Sequence, residues 1–346
     1  KMARQLEEMW EYAQSIADEE DTDPTPPDFK KVDKEKVEKT AQKIDKILKG
    51  NPKASSKAKA KARYIAKNFP ANLEKYEQQE QLLGNRSSYS KTDPDATFMR
   101  MKEDHMKNGQ LKPGYNVQIS SEDQFIVNYT LHQDTNDIHT LRPHLENYEY
   151  LYQNLPETLT ADAGYGSQEN YELLSEKGIK GYVKFNTFDK EQNKAGKKRK
   201  EKAPFHRDQL YYNEKEDHYV CPMGQRMEKI AQATKTTKSG YRQTVSKYSA
   251  KNCNGCPIRN VCFKGKYNRV IERNHALEHY KQKAREHLLS EIGEIKRRKR
   301  TADVEPVFAH IKSNRNFKRF THRGLDKVEL EFGLHALAHN MRKKSA

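Results

Sequence analysis

The chain has 346 residues, 34% apolar and 33% charged, and its 65 Lys and Arg against 49 Asp and Glu leave a formal net charge of +16. That balance argues against a membrane-embedded protein, since no apolar run approaches the roughly 18 residues that span a bilayer, and four cysteines are too few for a secreted disulfide framework. A reducing, cytoplasmic setting and a polyanionic partner are expected; lysine-rich solvated helix faces are the plainer reading of the same charge.

In chain order, residues 1–20 read as a helix, with Met2, Leu6, Met9, Trp10, Ala13, Ile16 and Ala17 at helical spacing. The Pro-rich stretch at 21–27 breaks it. Helices follow at about 33–49, 54–68 and 71–83. The third is strongly basic (Lys57, Lys59, Lys61, Arg63, Lys67) and suits either a phosphate backbone or solvent. These helices read as a charged arm rather than as a compact domain.

From about residue 111 the period turns to alternation. Residues 114–120 and 125–131 flank the polar turn Ser121-Glu122-Asp123, a β-hairpin pattern. A helix at about 139–154, a strand ending at Asp162, a helix at 168–177 and a strand at 181–185 predict a mixed α/β sheet. Residues 187–204 read as a polar loop and 210–275 as a cysteine-containing unit with short strands. Helices at about 276–299, 302–314 and 325–343 end the chain.

Two carboxylates stand out. Asp162 ends a short strand and Gly164-Tyr165-Gly166 turns the chain away at once, while Glu305 opens a basic helix just before Pro306, which is tolerable only in a first turn. That helix is expected to start near Thr301 or Asp303, with Lys312 two turns on from Glu305. Cleaving or joining a phosphodiester needs charge stabilisation on attacking and leaving oxygens, which two divalent ions roughly 4 Å apart supply when acidic side chains hold them. Mg²⁺ and Mn²⁺ take such oxygen ligands. A structural or helix-capping role is the alternative for either residue.

Cys221, Cys253, Cys256 and Cys262 sit close together, Cys253-Asn254-Gly255-Cys256 forming a Cys-x-x-Cys knuckle. They are candidate ligands of a structural Zn²⁺; reduced, partly buried thiols are the other reading. Phosphate-binding candidates are Lys296, Arg297, Arg298, Lys299 and Arg300, and Lys312 through Arg323, where Arg315, Lys318, Arg319 and Arg323 interleave with Phe317 and Phe320. His335 and His339 have metal-ligand spacing on the last helix, but their Leu and Ala neighbours favour an ordinary helix face.

Several segments together resemble the DDE-type transposases of bacterial insertion sequences, closest to the group numbered eleven eighty-two. They are 88–96, 114–118, 160–166, Glu305-Pro306-Val307-Phe308, Lys312, 317–320, 323–325 and 333–340. The resemblance implies an RNase H-like mixed sheet flanked by helices, a charged helical segment at 1–86, core at 87–190, an insertion with the cysteines at 191–275 and core helices at 276–346. It implies Asp162 and Glu305 as second and third acidic metal ligands, Mg²⁺ or Mn²⁺ as cofactor, and Lys312 as a DNA contact near the scissile phosphate. The partners it implies are double-stranded transposon-end and target DNA, bound by a homodimer beside the nucleoid. Related transposases place Tyr and Arg seven and four residues before the Glu; here Arg298 and Thr301 stand there, with Arg300 as a shifted substitute. The first acidic ligand is expected on a strand ahead of Lys1; otherwise Asp93 or Asp95 must serve, although Asp93-Pro94-Asp95-Ala96 reads as an Asx-type turn. Two rival readings are a catalytically inactive DNA-binding remnant and a zinc-dependent binding module.

Overall fold

Helical periodicity near the amino terminus produces three helices, α1 (Met2–Ile16), α2 (Lys34–Gly50) and α3 (Ser56–Leu83). The computed structural model describes residues 2–17, 27, 29, 33–101, 109–192 and 205–345. The Pro-rich break at 21–26 and the loop positions 193–204 lie outside the described residues. Asp33 and Ser55 cap α2 and α3 by accepting the N–H groups of Lys36 and Ala58. Leu6, Met9, Trp10 and Ala13 of α1 bury against Val37, Ala41, Ile44 and Leu48 of α2 and Ala62, Ile65 and Phe69 of α3. The segment expected to be an arm thus has a core of its own, and Lys1–Pro94 forms one compact unit, Asp95–Ala346 the other. The break expected near residue 70 is absent: α3 runs through Pro70, which is buried beside Phe69.

The second unit opens with the ladder β1 (Thr97–Arg100) and β2 (Leu111–Gly114), then the hairpin β3 (Asn116–Glu122) and β4 (Phe125–His132). The hairpin turn is Asp123-Gln124, both with positive φ (47° and 67°), so β3 runs two residues further than the sequence suggested, while β4 starts at 125 as expected. The register shifts between Ser120 and Ser121. A 3-10 turn at Asp137–His139 leads into α4 (Leu141–Tyr152). Then come β5 (Thr158–Ala161), α5 (Gln168–Glu176), β6 (Lys180–Val183) parallel to β5, and α6 (Phe188–Gln192).

The cysteine unit is a five-stranded antiparallel meander: β7 (Tyr211–Asn213), β8 (His218–Val220), β9 (Arg226–Thr236), β10 (Arg242–Ala250) and β11 (Val270–Arg273), with α7 (Arg259–Cys262) between the last two. The carboxyl-terminal helices are α8 (His275–Leu289), α9 (Glu291–Asp303), α10 (Glu305–Ala309) with a π-helical turn at His310–Asn314, and α11 (Leu325–Ser345). The single helix expected over 276–299 breaks at Ser290, whose hydroxyl caps Gly293 N–H. A Cβ on Gly293 would lie 2.0 Å from the His287 carbonyl, so only glycine permits that corner.

The unit is mixed α/β, and among the described residues the strands of the expected mixed sheet pair in separate ladders rather than in one continuous sheet. β3–β4 and β5–β6 are separate two-stranded ladders, each covered by its own helices. Ile126 and Leu131 of β4 pack with Val307, Ile311, Val328, Phe332 and Ala336, while Tyr182 and Val183 pack with Leu141, Leu145, Leu173, Leu174 and Leu288. Pro306 leaves the Ala302 carbonyl without its helical donor, and Gln124 Nε2 of the hairpin turn donates to it at 2.9 Å. The expected helix start at Thr301 or Asp303 is therefore a junction within a longer helical run, with Val304 still helical at φ −97°, ψ −47°.

His144 of α4 is buried, its Nε2 2.7 Å from Ser120 Oγ and its Nδ1 2.6 Å from Thr130 Oγ1. Burial, then the nearby His132, lower its pKa to about 4. The unfolded imidazole titrates near 6.5, so this stability is complete above that pH and is lost as pH falls towards about 4, about 3 kcal/mol in all. Urea unfolding between pH 7 and 4 should show a steeper loss for the wild type than for His144→Gln; equal slopes would refute the assignment.

Candidate active site

β5 delivers Asp162 at its carboxyl end, where loop chemistry takes over from the ladder. Its Oδ1 accepts Gly164 N–H at 3.0 Å, and its Oδ2 accepts Arg300 Nη2 at 3.2 Å. Arg300 lies on α9, the helix that immediately precedes α10 and its Glu305, so one ion pair ties the strand end to the helix next to the other sequence-identified acid. Asp162 is 44% exposed at the side chain and remains open to solvent on that side.

A third carboxylate, which the sequence reading did not single out, joins this neighbourhood. Asp137 Oδ1 accepts Asn116 Nδ2 at 2.8 Å and Gln118 Nε2 at 3.1 Å. A Cβ added at Gly164 would sit 3.0 Å from Asp137 Oδ2 and 3.1 Å from Asp162 Oδ1, so the two carboxylates flank that glycine. The Tyr165 hydroxyl donates to Gln118 Oε1. Burial, then the charges of Asp137 and Asp162, push its pKa up, with Arg300 pulling the other way. Tyr165 is thus a fixed neutral donor. In sequence, Asp137 reads as an ordinary polar residue ahead of a helix, and only the alternation placing Asn116 and Gln118 on one face of β3 hints at its partners.

Glu305 is exposed and its carboxylate has no hydrogen-bond or ion-pair partner among the described residues. Lys312 is exposed too, its ammonium 5.7 Å from the centre of the Phe308 ring. Asp95 is used structurally: its Oδ2 accepts Leu325 N–H at 2.9 Å, capping α11 from a distance, and its Oδ1 accepts Gln133 Nε2 at 3.4 Å.

The basic run on α9 is largely committed within the fold. Lys296 Nζ donates to Thr158 Oγ1 at 3.0 Å, Arg297 lies 5.4 Å from the Phe188 ring centre, Lys299 pairs with Asp123 at 2.8 Å and Arg300 with Asp162. Arg298 alone in the run is 86% exposed.

The stretch after Lys312 differs. Arg315 donates to the Ala338 carbonyl at 2.8 Å, but Lys318, Arg319 and Arg323 are exposed with no ion-pair partner among the described residues. Phe317 and Phe320 stack edge to face at 5.0 Å and pack on the hairpin core. Glu331 of α11 holds the loop by accepting the N–H groups of Thr321 and His322 and the Thr321 hydroxyl. Burial alone would raise the Glu331 pKa, and these bonds, with the His322 ring, instead lower it to about 2. His339 is buried with its Nε2 2.8 Å from the Gln124 carbonyl, and His335 lies 4.4 Å from Phe317, ring centre to ring centre; both serve packing.

Residues 220–344 match a family model described as a transposase DDE domain. No curated protein and no solved structure matches the chain. The match supports a DDE-type transposase. It runs from β8 through the cysteine unit to α11 and includes Glu305 and Lys312, whereas Asp162 and Asp137 lie upstream of it. Transposases of this class use divalent metal ions, and the carboxylates of Asp162, Glu305 and Asp137 are the hard oxygen donors that Mg²⁺ or Mn²⁺ prefers. Among the described residues, no group of three or more His, Cys, Asp or Glu side chains is placed to hold a metal. The donors fit in kind, and their number does not by itself complete a two-ion site. No helix of the described residues is long and apolar enough to cross a membrane.

Gly166 holds the strand-end turn against the segment just after β6: a Cβ there would lie 2.4 Å from the Lys184 carbonyl and 3.0 Å from Phe185 Cα, both backbone. Gly166→Ala should destabilise the fold by about 1–3 kcal/mol, measured as a lower melting temperature and denaturant midpoint. An unchanged midpoint would mean that the turn yields more easily than this packing implies.

Proposed function

We propose that the chain is a transposase that cleaves the ends of an insertion sequence and transfers the freed strands, using Asp162 and Glu305 as acidic metal ligands. The observation that carries the reading is the family match over 220–344, reached independently of the Arg300–Asp162 ion pair that links the strand-end acid to α9, the helix preceding Glu305. The insertion-sequence group numbered eleven eighty-two and an RNase H-like core are the finer parts of the proposal, supported by the motifs at 160–166, 305–312 and 333–340.

Divalent ions, when bound, neutralise charge on the attacking and leaving oxygens of the phosphodiester. Asp162 and Glu305 would hold them through carboxylate oxygens. Arg300 would balance the Asp162 charge and fix its rotamer, so binding an ion there means sharing or displacing that guanidinium. Lys312 would grip a phosphate near the cut, and the exposed cations of the Lys318–Arg323 loop would hold the flanking backbone. Because Lys296, Arg297 and Arg300 are engaged inside the unit, their contribution to DNA binding is proposed as secondary to that of Lys318, Arg319 and Arg323.

A homodimer on DNA is part of the same proposal. On α11, opposite the face buried on the hairpin, Leu330, Leu334, Leu337 and Met341 are between 57% and 66% exposed, at the alternating spacing of a coiled-coil seam. The first part of this helix carries the exposed acids Asp326 and Glu329, and its last turn is basic (Arg342, Lys343, Lys344). Two copies packed antiparallel would set each acidic end beside a basic one, which favours a second copy of this chain as the occupant.

Asp162→Ala and Glu305→Ala should each reduce Mn²⁺- or Mg²⁺-dependent nicking of element-end DNA by on the order of 10²-fold or more while DNA is still bound. Full nicking by either variant would falsify the assignment. Alanine at Lys318, Arg319 or Arg323 should lower the salt dependence of binding by about one counterion each. Glu331→Ala should weaken DNA binding, although it removes a negative charge, because it releases the loop; tighter binding in a filter or anisotropy titration would show that only net charge matters there. Leu334→Glu with Leu337→Glu should shift the species seen by sedimentation from dimer to monomer.

A further inference from the structure

The four cysteines come from three separate stretches of the second unit, yet all of them line one small cavity of about 20 Å³. Cys221 opens a tight turn in which its N–H bonds the Gln225 carbonyl and Gly224 N–H bonds the Cys221 carbonyl, with Gly224 at φ +79°. Cys253 and Cys256 bracket a second turn with Gly255 at φ +68°. Cys262 ends α7 and lines the same cavity. Two glycine-tightened turns and a short helix are the kind of backbone that presents thiols from several sides to one point. No disulfide joins them.

The second observation is a charge. Arg269 is only 7% exposed, its Nη1 donates to Cys262 Sγ at 2.9 Å, its Nη2 donates to the Phe205 carbonyl, and its backbone N–H donates to Cys253 Sγ at 3.4 Å. No carboxylate pairs with it among the described residues. A buried guanidinium without a counter-charge is strongly unfavourable, and the only groups on this cavity able to supply negative charge are the thiols. The cavity core is otherwise slight: Tyr219, Met227, Tyr248, Ala250 and Ile271, with Cys221 and Cys253 packed at its edge.

We propose that Cys221, Cys253, Cys256 and Cys262 bind one structural Zn²⁺ as four thiolates. Each thiol gives up its proton to solvent on binding, and the resulting complex carries a net charge of about −2, which Arg269 partly offsets through N–H···S bonds. As placed, the thiols do not form a metal-holding group, so the proposal requires their side chains to turn into the shared cavity and reach the sulfur–zinc distance of about 2.3 Å. Tetrahedral sulfur ligation selects zinc over the hard ions of the acidic site. The site is thus chemically separate from the phosphoryl-transfer centre. Its role is to cross-link the turn after β8, the Cys-x-x-Cys turn after β10 and α7.

The test is elemental analysis of the reduced whole chain after gel filtration, together with Co²⁺ reconstitution. One zinc per chain is expected, with visible d–d bands and near-ultraviolet sulfur-to-cobalt charge transfer in the Co²⁺ form. Cys256→Ser and Cys262→Ser should each reduce the zinc content severalfold or more. Should those variants fail to fold, the wild-type stoichiometry and the Co²⁺ spectrum still decide. Substoichiometric zinc in reduced wild type, iron in its place, an oxidised cysteine pair, or unchanged zinc in Cys256→Ser overturns the proposal. None of these readouts depends on DNA cleavage, so failure here is distinguishable from failure of the transposase reading.

Discussion

The acidic site depends on how closely the backbone can approach itself just after β5. Gly164 sits where any side chain would press on the carboxylates of Asp137 and Asp162, and Gly166 sits where one would strike the backbone of Lys184 and Phe185. Neither contact is about left-handed conformation; both are about space. With those two glycines, the chain turns within a few residues of the strand end, Asp162 caps its own turn through Gly164 N–H, and Tyr165 is carried onto Gln118 of the neighbouring ladder. Side chains, rather than a shared backbone ladder, thereby connect β3 to the end of β5.

The same economy governs the charge. A chain of net charge +16 would be expected to direct every cationic run outward, but α9 turns most of its run inward. Lys296, Lys299 and Arg300 each find a partner on a different element, β5, the hairpin turn and Asp162. The helix is a strut tying the two ladders together, and its cations are the ties. The positive field open to a polyanion is left to the segment beyond α10, where Glu331 spends its charge on ordering backbone N–H groups while the neighbouring Lys318, Arg319 and Arg323 stay exposed.

What was legible in the sequence was local. Alternation at 114–131 marked the hairpin, and 3.6-residue spacing marked α1, α2, α4 and α5. The strand ending at Asp162 was legible because an apolar segment met a glycine-rich turn. What was missed depends on contacts distant in the chain. Pro70 stays inside α3 because its neighbours are buried in a core that no short window reveals. Pro306 is accommodated because Gln124 supplies the donor that proline lacks. Asp137 gains its significance from Asn116 and Gln118 on one side and Gly164 on the other. Asp162 and Glu305 stand out as candidate acids through the resemblance to a family, since a carboxylate at a strand end or a helix start is chemically ambiguous until its surroundings are known.

Those surroundings also explain why the Asp162–Arg300 pair and the Arg269–thiol cluster behave as opposites. Asp162 is partly exposed, so its pairing with Arg300 is worth little on its own and can be exchanged for a stronger cation without unfolding anything. Arg269 is almost fully buried, so its charge has to be met inside the fold, where the Cys262 sulfur and the Phe205 carbonyl accept its N–H groups. In the proposed transposase, that exchangeability would let Asp162 take up a divalent ion. Under the proposed zinc ligation, Arg269 would instead stay in place as a lasting counter-charge in a small β unit with few apolar residues of its own.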